Sequence, residues 1–138
     1  MIIMRFEKGK SLKKLTTLGI GGKAAFFVEI KKEGDLEKIS AEKGERCVIG
    51  SGSNIVALDR GFLGLVIKIS IEDFKKNGSK IYVGAGNNLF EFIKKINKLG
   101  FCGIEKMAGI PGTVAGAIYG NAGAYGQEMV NNLLRVKI

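Results

Sequence analysis

Gly109, Gly112, Gly116, Gly120, Gly123 and Gly126 fall within eighteen residues of an apolar, nearly uncharged stretch. Glycine costs conformational entropy on folding, so a domain gathers it where backbone must turn sharply or come close to something. The cluster therefore points to backbone packed against a large ligand, best matched by a phosphate-bearing cofactor. Pro111 can open a helix at its first position. The stretch Ile110-Pro111-Gly112-Thr113 then places free N–H groups at a helix start, where anions bind. Gly112, Gly116 and Gly120 would line that helix as a smooth stripe that lets another backbone approach, an arrangement that close helix packing alone would also use. Asn121 and Tyr125 add polar handles to an otherwise apolar wall.

Two further glycine loops invite the same question. Gly50-Ser51-Gly52-Ser53-Asn54 lies between apolar runs. Consecutive N–H groups in such a turn form a nest for phosphate, and Ser51, Ser53 and Asn54 add side-chain donors. The same residues also suit a polar turn between two strands. Gly84-Ala85-Gly86 follows a strand pattern and opens an amphipathic helix, with Glu105 about twenty residues on, where a ribose-binding acid would stand. Leu89 replaces the third glycine of that fingerprint, so a tight strand-to-helix turn is the better reading. Neither loop is a standard dinucleotide or Walker fingerprint. Two anion-ready loops in one small domain suggest a nucleotide-type cofactor held at two places.

Other chemistry is excluded. The chain has no histidine, which removes Ser-His-Asp triads, Cys-His pairs and histidine-ligated metals. Cys47 and Cys102 lie far apart, without metal or disulfide spacing, and read as buried reduced thiols. No metal site is expected. The net charge of +9 is mostly lysine, in pairs such as Lys13-Lys14 and Lys94-Lys95. It lacks the arginines and interleaved aromatics of nucleic-acid binders, so it reads as a solvated surface whose field helps draw in anionic nucleotides. Nothing approaches the roughly 18 apolar residues of a membrane span. The start, Met1 to Glu7, lacks the form of a signal peptide. A cytoplasmic protein with no membrane or nucleic-acid partner is expected.

The elements that must position these loops follow from pattern. The 138 residues suit one domain with a real core. Glycine, at 21 residues, is about twice the roughly ten that average usage gives. Strands are predicted over 24–30, 46–49, 63–69 and 80–83, with Asn77-Gly78 as a turn, 55–58 extended and 133–138 as a last strand. A short helix is predicted over 33–43, with Leu36 and Ile39 inward and Gly44 as its stop. The clearest helix runs from Leu89 to Leu99, with Leu89, Phe92, Ile93, Ile96 and Leu99 on one face and Gly100 closing it. The order is α+β with mixed strands, not a doubly wound sheet.

In register along the whole chain, these motifs resemble the UDP-N-acetylenolpyruvoylglucosamine reductases, also called UDP-N-acetylmuramate dehydrogenases. Thr16-Thr-Leu-Gly-Ile-Gly-Gly22 is similar to the family's N-terminal signature. Gly50 to Asn54, with Asp59 and Gly61-Phe-Leu-Gly64 after it, is similar to its first flavin loop. Ala108 to Val114 and Asn121 to Gly126 are similar to its second flavin segment, and Gly84-Ala-Gly86 and Gly103-Ile-Glu105 fall in place.

The resemblance implies a flavin-binding domain of the vanillyl-alcohol-oxidase type, with FAD between two small α+β subdomains, about 1–70 and 71–138. It implies FAD contacts at Gly50, Ser51, Gly52, Ser53, Asn54, Ile110, Pro111, Gly112, Thr113, Gly116, Ala117, Asn121, Gly123 and Ala124. It implies NADPH as hydride donor and a UDP-sugar enolpyruvyl substrate, reduced to UDP-N-acetylmuramate for peptidoglycan. Ala115 and Gly120 depart from the family's usual glycine and methionine. The family's chains run on for about as long again, and its catalytic arginine, glutamate and serine lie there, so no catalytic residue carries over and the chain alone is expected to be inactive. The alternative is a stand-alone, non-catalytic flavin-binding module completed by another polypeptide.

Overall fold

The computed structural model describes residues 6–40 and 42–137. Met1–Arg5, within the stretch read as lacking the form of a signal peptide, lie outside them, as do Ala41 and Ile138.

The first half builds one mixed sheet. Its strands are β1 (Glu7–Ser11), β2 (Lys23–Ile30), β3 (Arg46–Ile49) and β4 (Phe62–Ile69), in the order β1-β2-β4-β3. β1 runs antiparallel to β2, while β2 and β3 both pair parallel with β4. Strands that run the same way need a crossover, and α1 (Gly34–Ser40) supplies it between β2 and β3, which flank β4. Both sheet faces are covered. Val28, Ile30, Leu65 and Ile67 pack with Ile39 of α1 on one side, while Ala24, Phe27 and Val66 pack with Leu12 on the other.

The second half is smaller and more helical. A hairpin of β5 (Phe74–Asn77) and β6 (Lys80–Val83) turns at Gly78, whose φ is 58°. α2 (Leu89–Lys98) buries Leu89, Phe92, Ile93 and Ile96. They meet Met107, Val114 and Met129 in a third cluster, with α3 (Val114–Tyr119) and the hairpin β7 (Gly123–Ala124) and β8 (Gln127–Glu128) around it. Asn88 caps α2 by accepting the Glu91 N–H at 3.1 Å, and Gly100 ends it in the left-handed region, φ 84°. The α+β class is borne out.

Several expectations are corrected. α1 spans Gly34–Ser40 and falls short of residue 43, with the Arg46 guanidinium 3.5 Å from Ile39 O and 3.4 Å from Ser40 O. Leu36 sits at its exposed edge, so only Ile39 faces inward. Leu99 is likewise 41% exposed at the C-cap of α2. Residues 55–58 form no strand: Leu58 turns its carbonyl to the N–H groups of Gly22 and Gly61, both at 2.9 Å. Residues 133–137 pair with no strand among the described residues. β1 has no counterpart in the sequence reading; its run Glu-Lys-Gly-Lys-Ser is too polar to signal a strand.

Gly61 shows what fixes the turn into β4. Its φ is 77°, and a Cβ there would run into the Lys23 carbonyl oxygen. Gly78 has φ 58° with open space around it. Gly61→Ala should therefore lose about 3 kcal/mol or more in urea unfolding, and Gly78→Ala about 1 kcal/mol. Equal losses would mean that the close approach at Gly61 is not real.

Candidate cofactor site

Two of the three glycine loops meet. Gly50 and Thr113 face each other so closely that a Cβ on Gly50 would overlap the Thr113 side chain. Ser53 Oγ donates to the Pro111 carbonyl at 2.9 Å across 58 residues of sequence. A Cβ on Gly112 would lie 3.2 Å from the same Ser53 Oγ. Gly52, with φ 69°, leans on the backbone of Leu15 and Thr16, and its carbonyl accepts the Thr17 N–H at 3.1 Å.

This packing leaves donors over. Among the described residues, the backbone N–H groups of Ser51, Gly52, Ser53 and Asn54 have no protein acceptor, and neither do those of Gly112 and Thr113. Ser51 and Asn54 are exposed. Two sets of unpaired N–H groups on adjoining loops make an anion cradle. Thr113, itself buried, caps α3 by accepting the Gly116 N–H at 3.2 Å. Pro111 therefore does not open the helix: it precedes the cap, and α3 begins at Val114.

The third loop is closed. Gly84 and Gly86 press on the backbone of Ser70 and Ile71. The Leu89 N–H donates to Gly112 O at 3.0 Å, the Val114 N–H to Asn87 O at 2.9 Å and the Ala115 N–H to Ala85 O at 3.1 Å. The tight strand-to-helix turn is what the backbone forms, and it braces the start of α3 from behind. Glu105 is also engaged locally: both carboxylate oxygens lie 2.9 Å from the Gly103 nitrogen, and Oε2 accepts from Gln127 Nε2 at 3.2 Å. Its own backbone N–H, the Gly103 N–H and the Gln127 amide hold its carboxyl below the usual glutamate range.

The second segment divides. Gly116 and Gly120 are exposed, and nothing approaches them beyond α3's own turn, at 3.3 Å and 3.6 Å from a built Cβ. The stripe is thus an open floor rather than a contact for another backbone of the described chain. Ala117 points into the core, 6% exposed. Ile110 and Ala124 are half-buried against that core and Gly123 is exposed. Asn121 spends its side chain on the hairpin, donating to Glu128 Oε2 at 3.0 Å and accepting the Val130 N–H at 3.1 Å. Tyr125 is 86% exposed.

A half-open apolar cavity of about 240 Å³ beside the first loop, lined by Leu15, Thr16, Ile49, Ile55 and Arg60, has no counterpart among the sequence motifs. The half-buried thiol of Cys47 also lines it, whereas Cys102 is exposed rather than buried. Both cysteines are free. Among the described residues no cluster has the makings of a metal site, and no helix is long and apolar enough to cross a membrane.

The family model described as FAD binding domain matches residues 24–138. The chain belongs to this FAD-binding family. It is similar to the UDP-N-acetylenolpyruvoylglucosamine reductases of Protochlamydia amoebophila, 42% identical over 96% of this chain and 46% of that one, and of Solibacter usitatus, 37% identical over 88% and 40%. The crystal structure of the Thermus caldophilus UDP-N-acetylenolpyruvylglucosamine reductase, MurB, superposes with a TM-score of 0.78 at 35% identity, over 92% of this chain and 46% of that one. The resemblance read from the glycine motifs is thereby borne out. The chain spans about half the length of the relatives it matches. The cradle's unpaired N–H groups and the open glycine floor fit the pyrophosphate and ring of the family's cofactor.

Glu105 makes stability pH-dependent with a definite sign. Its carboxyl is held below its unfolded value of about 4.3, so its contribution is present above that value and lost as pH falls through the lower, folded one. Glu105→Gln should be less stable than the parent in urea at neutral pH, and the gap should close below about pH 4. A gap that is constant with pH would show that the carboxylate charge contributes nothing.

Proposed function

We propose that this chain is the FAD-holding part of an NADPH-dependent reductase that converts UDP-N-acetylglucosamine enolpyruvate to UDP-N-acetylmuramate for peptidoglycan, working in the cytoplasm. The observation that carries the reading is the meeting of residues 50–54 with 110–113, both with N–H groups to spare. Gly50, Ser51, Gly52, Ser53 and Asn54 hold one side of the pyrophosphate, and Ile110, Pro111, Gly112 and Thr113 the other. Gly116 leaves room beside them, Ala117 contributes backbone only, and Asn121, Gly123 and Ala124 stand along the ring. The domain divides at about residue 70, with the sheet and its two cores in 1–70 and the α2 core in 71–138, so that the site lies between the two parts. The bound flavin supplies hydride-transfer chemistry; the chain's own residues bind it, orient it and shield one side of it from water.

By the resemblance, the family's catalytic residues fall outside the motifs matched here, and we expect no turnover from this chain alone. A second reading is a stand-alone, non-catalytic flavin-binding module completed by another polypeptide.

An FAD titration followed by flavin fluorescence tests the reading. The folded chain should quench saturably. Gly116→Leu, on the exposed floor with its Cβ 3.3 Å from Thr113 Oγ1, should weaken binding at least about tenfold while the circular dichroism stays that of the folded parent. Quenching that is absent, or indifferent to Gly116→Leu, would remove the site from this surface. With NADPH and the enolpyruvyl substrate the chain should give no product; sustained NADPH consumption would overturn the claim that it lacks the catalytic machinery.

A further inference from the structure

The β7–β8 hairpin adopts a conformation that one of its residues disfavours. Its central pair, Tyr125 and Gly126, has φ of 51° and 81°, the two positive values of a type I′ turn. Glycine suits this, but left-handed backbone costs a residue with a Cβ about 1–2 kcal/mol. The tyrosine ring, 86% exposed, finds no packing that offsets the cost. Asn121, two residues before the hairpin, is left-handed as well, φ 42°. Such strain persists where the surroundings over-determine it, and it gathers at functional sites.

The surroundings here are a short chain of hydrogen bonds rooted in one carboxylate. Glu105 accepts from Gly103 N–H and from Gln127 Nε2. The Gln127 side-chain oxygen accepts the Lys106 N–H at 2.8 Å, and Lys106 Nζ donates to the Tyr125 carbonyl at 3.1 Å. Glu105 and Lys106 stand on a single 3-10 turn, Glu105–Met107, anchored by the fully buried Met107. The carboxylate thus fixes the side chain just after the turn, while its sequence neighbour fixes a carbonyl within it.

We propose that Glu105 is a positioning residue for the cofactor: through Gln127, and with Lys106 beside it, it holds the Tyr125–Gly126 turn so that the backbone of residues 121–124 stands at the cofactor ring. The inference rests on the cofactor reading above, which takes Asn121, Gly123 and Ala124 as contacts. Glu105 touches no ligand itself. None of the network's hydrogen bonds reaches residues 50–54 or 110–113, so the pyrophosphate cradle and the ring-side turn are separable.

That separation defines the test. Hydrogen exchange is first compared without ligand, in the parent chain and in Glu105→Ala and Gln127→Ala; amides of residues 121–128 should exchange faster in both variants. FAD and ADP are then titrated. FAD affinity should fall about tenfold in both variants, with the bound-flavin spectrum moving toward that of free flavin, while ADP affinity stays within about twofold. Glu105→Gln, which keeps an acceptor oxygen, should recover part of the FAD affinity. Unchanged exchange at 121–128, or equal loss of FAD and ADP, overturns the inference. A parent chain that binds neither ligand overturns the cofactor reading instead, and the ligand-free exchange still decides whether Glu105 holds the turn.

Discussion

Two loops from distant parts of the chain come together where Gly50, lacking a side chain, leaves its space to the Thr113 side chain, and much of the second half is arranged around that contact. Thr113 is buried, so its position is fixed by the core; it caps α3, so the helix is fixed to it. Asn87 and Ala85 take the next two N–H groups of α3, which ties the helix start to the turn that opens α2. Ser53 closes the loop pair from the first half by bonding to Pro111. Each bond is worth only about 1 kcal/mol net, but together they leave the two loops a single arrangement.

The glycines then sort by what occupies the space a side chain would take. At Gly22, Gly52, Gly61, Gly84 and Gly86 that space holds the protein's own backbone, and glycine serves the fold. At Gly120 only ordinary contact is met, and at Gly116 a built Cβ meets the Thr113 hydroxyl at 3.3 Å. A glycine within a helix carries an entropic cost of up to about 1 kcal/mol, and at Gly116 that cost falls on an exposed position. The stripe signalled glycine's importance correctly, but its orientation depends on which side of α3 faces the core, and that is set by Val114 and Ala117.

Much of the fold was legible because its signals are local. The apolar runs of β2, β3 and β4 and the 3.6-residue spacing in α2 stand out without reference to tertiary structure. β1 was not legible, because its pairing with β2 comes from position in the sheet and not from its polar residues. The start of α3 was misplaced because the Thr113 side chain, rather than Pro111, caps it. At the site, the glycine motifs marked the loops but carried no sign of which loops touch. Gly84-Ala-Gly86 and Gly50-Ser-Gly-Ser-Asn54 look alike as strings. They differ because Ser70 and Ile71 fill the space around one, whereas the other keeps its N–H groups unpaired.

Preorganisation is what such bracing contributes to binding. A ligand that must order loops loses affinity to their entropy, while loops already fixed by hydrogen bonds cost it little. The cradle here is fixed by groups other than the donors it offers: Gly52 is held by its carbonyl, Ser53 by its hydroxyl, Gly112 by its carbonyl and Thr113 by its side chain. Their N–H groups remain available. The positive field of a chain with net charge +9 acts in the same direction. Several lysines rest on phenylalanine rings, such as Lys95 on Phe74 at 3.6 Å. In the proposed site, oriented backbone dipoles would meet the phosphates, since they keep their direction without a side chain to order.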